Sequence, residues 1–196
     1  MVLWVYPGLL LLCVIAFRVW DTETKPIRFV CNRAARKGLN IVPEMETALS
    51  VCLSVCLHGF WHQPLVFQND CIGLMTLSTP AQLPCTELHL ATWENKSEQE
   101  KRGDIVASLN LLIAGVKTVR ILTEGDCEML LQSLENNINN YLLILTNLQL
   151  SGPVLPPSLS CVPQSSLNLS TVLQSYNQLI SGKLERFIVN LEYRCT

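Results

Sequence analysis

Two long segments with helical periodicity lie in the middle of the chain, between Trp93 and Leu150. In each segment, apolar residues recur every three or four positions, which places them on one face of an α-helix. The recurring positions are Ile105, Leu109, Leu112, Val116 and Val119 in the first segment, and Leu131, Leu134, Ile138, Leu142, Leu145 and Leu148 in the second. Only residues 123–126 link the segments. Because so short a link can only reverse the chain, the pattern predicts an antiparallel helix pair.

Two further segments with helical stripes flank this pair. The first covers residues 28–57, and we expect it to bend or break near Pro43, because an interior proline costs a helix about 3 kcal/mol. The second begins at Ser165 or Ser166, either of which is a suitable N-cap, and ends near Arg194. Its apolar stripe consists of Leu169, Leu173, Tyr176, Ile180, Leu184, Phe187 and Leu191.

The connections between the four predicted helices are long, short and long. Residues 58–92 and 151–164 contain glycine and proline and no sustained period. Fourteen extended residues reach roughly 46 Å, which exceeds the roughly 36 Å length of a 24-residue helix. A long connection can therefore cross the bundle and start a parallel helix. The pattern predicts an all-α, up-up-down-down four-helix bundle with two long crossover connections, as in growth-hormone-like cytokines.

The N-terminal residues 1–20 are typical of a signal peptide. Their apolar run, Leu9–Phe17, is too short to span a bilayer and is followed at once by Arg18 and a polar segment. Cleavage is expected between residues 16 and 25, which leaves residues 21–196 as one secreted cytokine domain. No later run of eighteen apolar residues lacks polar interruption, so we expect no membrane insertion. The formal net charge of −2 indicates no nucleic-acid partner, and we expect a monomer.

Eight of the nine cysteines lie beyond the signal peptide, and an even number in a secreted chain favours four disulfides. In the predicted topology, helix one begins at the pole where helix four ends. Cys31 can therefore pair with Cys195. Helix one ends where helix three begins, so that Cys52 can pair with Cys127. Other pairings of these four would join sulfurs at opposite ends of a bundle some 30 Å long.

The four additional cysteines lie in or beside the long connections. Cys56 follows helix one and Cys161 precedes helix four, which places both at the same pole. Cys71 and Cys85 share the first connection. We therefore predict the pairs Cys56–Cys161 and Cys71–Cys85, although Cys56 can exchange roles with nearby Cys52.

Candidate chemical motifs are few. Cys52, Cys56, His58 and His62 have a spacing that could suggest zinc, but structural zinc sites separate their ligand pairs by a longer loop, and disulfides account for the cysteines. His89 has no nucleophile or paired carboxylate near it in sequence. We find no phosphate-binding loop and no nucleophile elbow, and so predict no enzyme activity, no metal and no cofactor.

Two surface features remain. Asn95-Lys96-Ser97 and Asn168-Leu169-Ser170 are acceptor tripeptides for N-glycosylation, so Asn95 and Asn168 are predicted glycan sites. On helix four, Lys183, Arg186 and Asn190 fall on one flank of the apolar stripe, together with Leu179. This flank is either a solvated surface or a contact patch, because arginine and aliphatic anchors are common in interfaces.

The segment from Thr79 to Arg120 resembles the erythropoietin and thrombopoietin family, and most of all its thrombopoietin members. The matching residues are Thr79-Pro80, Leu83-Pro84, Leu90, Trp93, Asp104-Ile105, Leu111-Leu112, Gly115-Val116 and Arg120. Cys31, Cys52, Cys127 and Cys195 match the two bridges of the family, and Gly182-Lys183-Leu184 resembles a Gly-Lys step in its last helix. Because the chain ends at Thr196, the resemblance predicts a form without the long C-terminal tail.

The resemblance implies a secreted hormone that binds two copies of a class I cytokine receptor. The bound receptors would bring Janus kinases together and promote megakaryocyte and thrombocyte production. The alternatives are a hormone of the erythropoietin type and, from another class of protein, a secreted helical carrier that holds an apolar ligand between its helices.

The resemblance also implies where the higher-affinity receptor face lies. The face comprises the flank of helix four with Lys183 and Arg186, together with Glu87 and Leu88 from the first long connection. On helix one, Arg36 and Lys37 are expected to border it.

Overall fold

The computed structural model describes residues 26–47, 50, 76–121 and 126–195. The helices of this part are α1 (Pro26–Cys31), α2 (Arg33–Leu39), a helical stretch at residues 42–47, α3 (Leu90–Glu94), α4 (Glu98–Ile121), α5 (Asp126–Asn147), α6 (Leu169–Gln178), a π-helical turn (Leu179–Leu184) and α7 (Glu185–Val189). A 3₁₀ turn, Glu192–Arg194, follows, and two strands, β1 (Thr76–Leu83) and β2 (Gln164–Asn168), pair with each other. We call Leu169–Val189 the C-terminal helix. The signal peptide, the Cys52–Cys127 bridge and the zinc alternative involve residues whose positions are not described.

The first predicted helix is broken twice within residues 26–47. Asn32 interrupts it because its side chain caps α2, accepting a hydrogen bond from the Ala35 N–H at 3.0 Å. The second break comes at Asn40 and Ile41, close to Pro43, where the sequence predicts it. Within residues 26–47, helix one is thus a series of short helices.

The central helix pair is antiparallel, as predicted. Near the start of α4, the Arg102 guanidinium donates to the Leu148 carbonyl beyond the end of α5, at 3.1 Å. Near the end of α4, the Arg120 side chain donates to the Glu135 carboxylate in the first half of α5, at 2.8 Å. The contacts proceed in opposite directions along the two helices.

The C-terminal helix also runs antiparallel to α4. Lys183 contacts Asp104 at 3.0 Å, and Tyr193, ten residues further on, contacts Glu98 at the start of α4 at 2.9 Å. The C-terminal helix is therefore parallel to α5.

Helix one runs antiparallel to the C-terminal helix. A disulfide joins Cys31 to Cys195, which is the pairing that the sequence predicts. Further along helix one, Arg36 reaches back to Glu185 at 3.4 Å. Helix one and α4 run in one direction and α5 and the C-terminal helix in the other, so the bundle is up-up-down-down.

The predicted apolar stripes form the core. Every stripe residue of α4, α5 and the C-terminal helix is buried except Leu142, which is half-buried. Helical periodicity therefore identified the inward faces of all three helices correctly.

A small antiparallel sheet joins the two long connections, which the all-α prediction treated as irregular. Leu83 pairs with Gln164, and Thr76 pairs with Asn168, with an irregularity in register between these pairs. The strand β1 packs on α4 at Gly115, where an added Cβ would lie 3.1 Å from the Cβ of Ala81. Serine, threonine and proline in these strands hide the alternation of apolar and polar residues that would predict them.

Candidate functional site

Lys183, predicted at the surface, is buried beneath the two connections. Its side chain is 2% exposed, and its ammonium donates to the carboxylate of Asp104 at 3.0 Å. It also donates to the Cys85 carbonyl at 2.7 Å and to the Ser160 hydroxyl at 3.3 Å. The Trp93 ring centroid lies 5.8 Å from the same nitrogen. The prediction of a solvent-facing Lys183 is therefore wrong, because the connections cover this flank of the helix.

Asp104 completes the buried network on the side of α4. One oxygen of its carboxylate accepts a hydrogen bond from the Ser160 N–H at 3.1 Å, and the other accepts from the Ser160 hydroxyl at 3.3 Å. The half-buried Lys96 ammonium lies 3.7 Å away. The carboxylate is thus hydrogen-bonded and paired, which is the condition under which a protein interior accepts a charge.

A disulfide between Cys85 and Cys161 joins the two connections over this network. The predicted pairs Cys56–Cys161 and Cys71–Cys85 are therefore wrong. The sheet supplies the physical reason. Leu83 pairs with Gln164, and continuing that antiparallel register brings Cys85 opposite Val162, the neighbour of Cys161. The Cα atoms of Cys85 and Cys161 are 6.0 Å apart, within reach of a disulfide.

Leu179 is also buried, with no exposed surface, contrary to its predicted place on the contact flank. It begins the π-helical turn, in which the Glu185 N–H reaches the Ile180 carbonyl, five residues back. A helical wheel drawn at 100° per residue, as for an α-helix, gives wrong side-chain directions in this wider turn. The inward side of the C-terminal helix is therefore broader here than the stripe alone predicts.

Arg36 is a structural residue of the bundle. It is 5% exposed, and its guanidinium contacts Glu192 at 2.6 Å and Glu185 at 3.4 Å, and also donates to the Val30 carbonyl. It ties helix one to the end of the C-terminal helix and is not available to border a receptor face. Lys37 is exposed on the rim of a groove of about 240 Å³ between helix one and the C-terminal helix.

Arg186 and its neighbours form the exposed part of this flank. The Arg186 guanidinium pairs with the Glu94 carboxylate of α3 at 3.0 Å, and these side chains are 41% and 57% exposed. Val189 and Tyr193 follow at spacings of three and seven residues, and both are exposed. Exposed Leu90 precedes Glu94 by one helical turn. We call Leu90, Glu94, Arg186, Val189 and Tyr193 the Arg186 face, and exposed Asn190 lies beside it.

Arg186 and Asn190 of this surface could be predicted from the sequence, whereas its apolar residues were not. Arg186, Val189 and Tyr193 are spaced so that they lie on one side of a helix, and this spacing could have predicted that these three residues share a surface. Leu90 and Glu94 carry no such signal, because their position depends on how α3 packs against the C-terminal helix.

The Tyr193 hydroxyl extends the contact with α4. It donates to the Glu98 carboxylate at 2.9 Å, and this hydrogen bond raises the pKa of Tyr193 because it favours the protonated hydroxyl. Tyr193 therefore stays neutral across the physiological range while its ring remains exposed.

Glu87 and Leu88 line a separate cleft of about 450 Å³ beside the Arg186 face. Glu87 is exposed and lies 3.7 Å from His89, whereas Leu88 is half-buried and packs against the core. The same cleft is lined by Lys183, Asp104 and the Cys85–Cys161 bridge. The connection that carries Glu87 is thus anchored at Cys85 by both a covalent bond and the Lys183 ammonium.

Both acceptor asparagines are exposed. Asn95 is the C-cap of α3. Asn168 ends β2 and caps α6, accepting from the Thr171 N–H at 3.3 Å, so the predicted cap at Ser165 or Ser166 is wrong. Those serines are paired in the sheet.

Two further findings concern other kinds of site. In the described part of the chain, no three histidine, cysteine, aspartate or glutamate side chains come together as metal ligands. Across the same residues, no helix is both long enough and apolar enough to cross a bilayer.

The up-up-down-down bundle, with its crossover connections paired in a small sheet and an exposed face on the last helix, defines a helical cytokine of the growth-hormone-like class. A model of the family described as "Erythropoietin/thrombopoietin" matches residues 63–196. The chain belongs to this family, whose members are hormones and not enzymes, and within it the chain is most like thrombopoietin.

Three curated relatives make the likeness concrete. Rat and mouse thrombopoietin are each 32% identical to the chain over 126 residues, or 63% of its length. Dog thrombopoietin is 32% identical over 123 residues, or 62% of the chain. The matches cover 37%, 34% and 33% of the rat, mouse and dog proteins respectively, so the chain spans about a third of the length of these relatives.

Proposed function

We propose that the protein is a secreted hormone that binds a class I cytokine receptor of the thrombopoietin type through the Arg186 face. The observation that carries the proposal is the composition of this surface. It combines an exposed arginine and valine on the C-terminal helix, an exposed tyrosine on the 3₁₀ turn that follows, and an exposed leucine on α3. Aromatic, arginine and aliphatic side chains supply most of the binding energy in protein interfaces.

The buried network beneath the face would keep it ready for binding. Lys183 fastens the C-terminal helix to α4 and to both connections, and the Cys85–Cys161 bridge holds those connections together. A surface that does not have to be ordered on binding retains more of its interaction energy as affinity. Lys183 thus acts by holding the surface in place and makes no receptor contact of its own.

Signalling in this proposal requires two receptor copies on one hormone. The first copy binds the Arg186 face, and the second binds a different face of the same monomer. The receptors then bring their Janus kinases together and promote megakaryocyte and thrombocyte production. Family membership and the likeness to thrombopoietins support this role.

The carrier alternative requires an apolar cavity between the helices. The larger of the two clefts described above has a mixed lining instead, in which the charged Lys96, Asp104 and Lys183 lie beside apolar residues such as Leu88 and Trp93. Such a lining favours the hormone, because a carrier of an apolar ligand needs a predominantly apolar cavity. A hormone of the erythropoietin type has the same fold and differs in which receptor it activates.

The deciding experiment applies the purified protein to cells that carry the thrombopoietin receptor and, in parallel, to cells that carry the erythropoietin receptor. We expect kinase activation in the first cells. A response only in the second would assign the chain to the erythropoietin type, and silence in both would overturn the proposal.

Alanine variants test the face. Arg186→Ala and Tyr193→Ala should each weaken receptor binding about tenfold or more. Lys117→Ala is the control, because Lys117 is half exposed and lies near the other end of α4. If all three variants bind like the parent protein, the receptor face lies elsewhere.

A further inference from the structure

The cleft of about 450 Å³ between the two connections holds more positive than negative charge at its buried end. The Lys96 and Lys183 ammonium groups lie 3.7 Å and 3.0 Å from the same oxygen of the Asp104 carboxylate. Two cations thus share one anion, and all three side chains line the cleft. Glu87 lines it too, but its carboxylate is 85% exposed and lies beside His89, so solvent screens its charge. The buried end therefore has a surplus of one positive charge.

Two hydrogen-bond donors of this cleft lack an acceptor within the part of the chain that the structure describes. The indole N–H of Trp93 has no partner, although that side chain is only 3% exposed. The Lys183 ammonium has three acceptors, whereas Lys96 makes no hydrogen bond, because the Asp104 oxygen at 3.7 Å is too distant. The Lys96 nitrogen lies 5.6 Å from the centroid of the Trp93 ring, so the two open donors are neighbours. A ligand with acceptor oxygens would remove the cost of leaving a buried donor unpaired.

Apolar side chains form another part of the wall of this cleft. Leu88 is half-buried there, and Val162, from the second connection, is 85% exposed. The volume of the cleft falls within the range of roughly 300 to 1,000 Å³ that is usual for small-molecule sites. The mixed lining that disfavours a purely apolar ligand therefore fits a ligand that joins an anionic group to an apolar body.

We propose that this cleft binds a small organic carboxylate with an apolar or aromatic body. One carboxylate oxygen accepts from the Lys96 ammonium and the other from the Trp93 indole N–H, while the apolar body packs on Leu88 and Val162. The carboxylate balances the surplus positive charge and satisfies both open donors, because each of its oxygens is an acceptor. The cleft contains none of the residues of the Arg186 face, so the inference does not depend on the proposed receptor role.

The test titrates the full secreted chain with phenylbutyrate, and its neutral amide, phenylbutyramide, is the matched control ligand. Isothermal titration measures the affinity. Nuclear magnetic resonance of the isotope-labelled indole N–H groups reports the site, with the Trp93 signal identified by its absence in Trp93→Phe. We expect saturable binding of the acid with a dissociation constant of about 1 mM or tighter, together with a shift of the Trp93 signal. The amide should bind about tenfold more weakly or worse, because it carries no charge.

Three variants locate the carboxylate and the apolar body. Lys96→Met removes the ammonium, keeps the length of the side chain and leaves the pair of Lys183 and Asp104 in place, so it should weaken binding about tenfold or more. Val162→Ser shortens the apolar wall at an exposed position and should weaken binding about threefold. Lys117→Met is the matched control and should bind like the parent, because Lys117 is half exposed and lies near the other end of α4.

Several results would overturn the inference. They are no saturable binding of phenylbutyrate to the parent, equal affinity for the amide, an unchanged Trp93 signal on binding, or undiminished binding by Lys96→Met. If thermal unfolding shows that Lys96→Met is not folded, the comparison of acid and amide on the parent protein decides. The receptor role has its own readout, because Arg186→Ala changes the Arg186 face and leaves this cleft intact.

Discussion

The Lys183 ammonium lies 3.0 Å from the Asp104 carboxylate, and both side chains are 2% exposed. The pair joins the last helix of the bundle to the second. An ammonium has three hydrogens, and here Asp104, the Cys85 carbonyl and the Ser160 hydroxyl supply three acceptors. Because the charge is fully hydrogen-bonded, it can stay buried, but neither partner can be removed cheaply.

We predict that Lys183→Met destabilises the protein by about 3 to 5 kcal/mol. The substitution fills the space but removes the buried cation that donates to the Asp104 carboxylate at 3.0 Å, and leaves only the more distant Lys96 ammonium at 3.7 Å. Lys183→Glu should be at least as damaging, so it cannot serve as a stability-neutral test of receptor contact. Urea unfolding of the purified protein measures the loss.

Two further variants control this prediction. Arg186→Met removes an exposed cation from the same helix and should change stability by less than about 1 kcal/mol. Lys183→Met with Asp104→Leu removes both charges and should recover part of the loss. A change below about 1 kcal/mol for Lys183→Met alone would show that the pair contributes little.

The three long helices, α4, α5 and the C-terminal helix, could be predicted from the sequence because each carries a long apolar stripe with helical period. The place of Lys183 could not. A wheel shows that Lys183 lies beside the stripe, but burial of that flank depends on Trp93, Cys85 and Ser160, which come from distant segments. Arg36 has the same explanation, since its carboxylate partners lie about 150 residues away in sequence.

One of the two described disulfides could be predicted from the sequence, and the other could not. Cys31 and Cys195 could be paired from topology, because helix ends at a shared pole are neighbours in any such bundle. The partner of Cys85 depended on the sheet, and the sheet carries too weak a pattern to predict. Once Leu83 is known to pair with Gln164, Cys85 is expected opposite Val162 and therefore next to Cys161, its partner in the structure.

We predict that a peptide map under non-reducing conditions links the peptides that contain Cys85 and Cys161. It should also link Cys31 to Cys195, and reduction should release both pairs. A peptide that joins Cys71 to Cys85 would contradict the arrangement of the two connections.

The stability of variants should rank the same bonds. The Cys31–Cys195 bond spans a sequence separation of 164, for which the loop-entropy model gives about 5 kcal/mol. The Cys85–Cys161 bond spans a sequence separation of 76, for which the same model gives a stabilisation of about 4.5 kcal/mol. Serine pairs at each position, unfolded in urea, compare the two contributions.

Gly115 and Gly38 should respond oppositely to a larger side chain. A Cβ at Gly115 would lie 3.1 Å from the Ala81 Cβ and 3.3 Å from its Cα, so α4 and β1 would have to separate. Gly115→Val should therefore cost about 1 to 3 kcal/mol. A Cβ at Gly38 meets nothing within 4 Å, and Gly38→Ala should stabilise α2 by about 0.5 to 1 kcal/mol. Thermal unfolding of both variants checks the contrast. If Gly115→Val leaves the stability unchanged, β1 can move away from α4 without cost.

The last prediction concerns stability at alkaline pH. The Tyr176 hydroxyl donates to the Asn137 side chain, whose amide donates to the Leu39 carbonyl at 2.7 Å. Burial raises the pKa of Tyr176 well above its ordinary value, and burial likewise raises the pKa of Tyr141. In the unfolded chain both hydroxyls titrate near a pH of about 10.

The sign of the effect follows from proton binding. Above a pH of about 10 the unfolded chain releases protons that the native protein keeps, so the free energy of unfolding falls as the pH rises. The contribution is fully present below that pH. Urea unfolding at pH values of about 9 and 10.5 should show this fall in the free energy of unfolding. Tyr176→Phe should make the fall smaller. This variant should also be less stable at both pH values, because Asn137 loses a hydrogen-bond partner. Tyr193→Phe is the comparison, since solvent screens that exposed hydroxyl and the decline should change less. An equal decline in Tyr176→Phe and the parent would show that Tyr176 does not carry the effect.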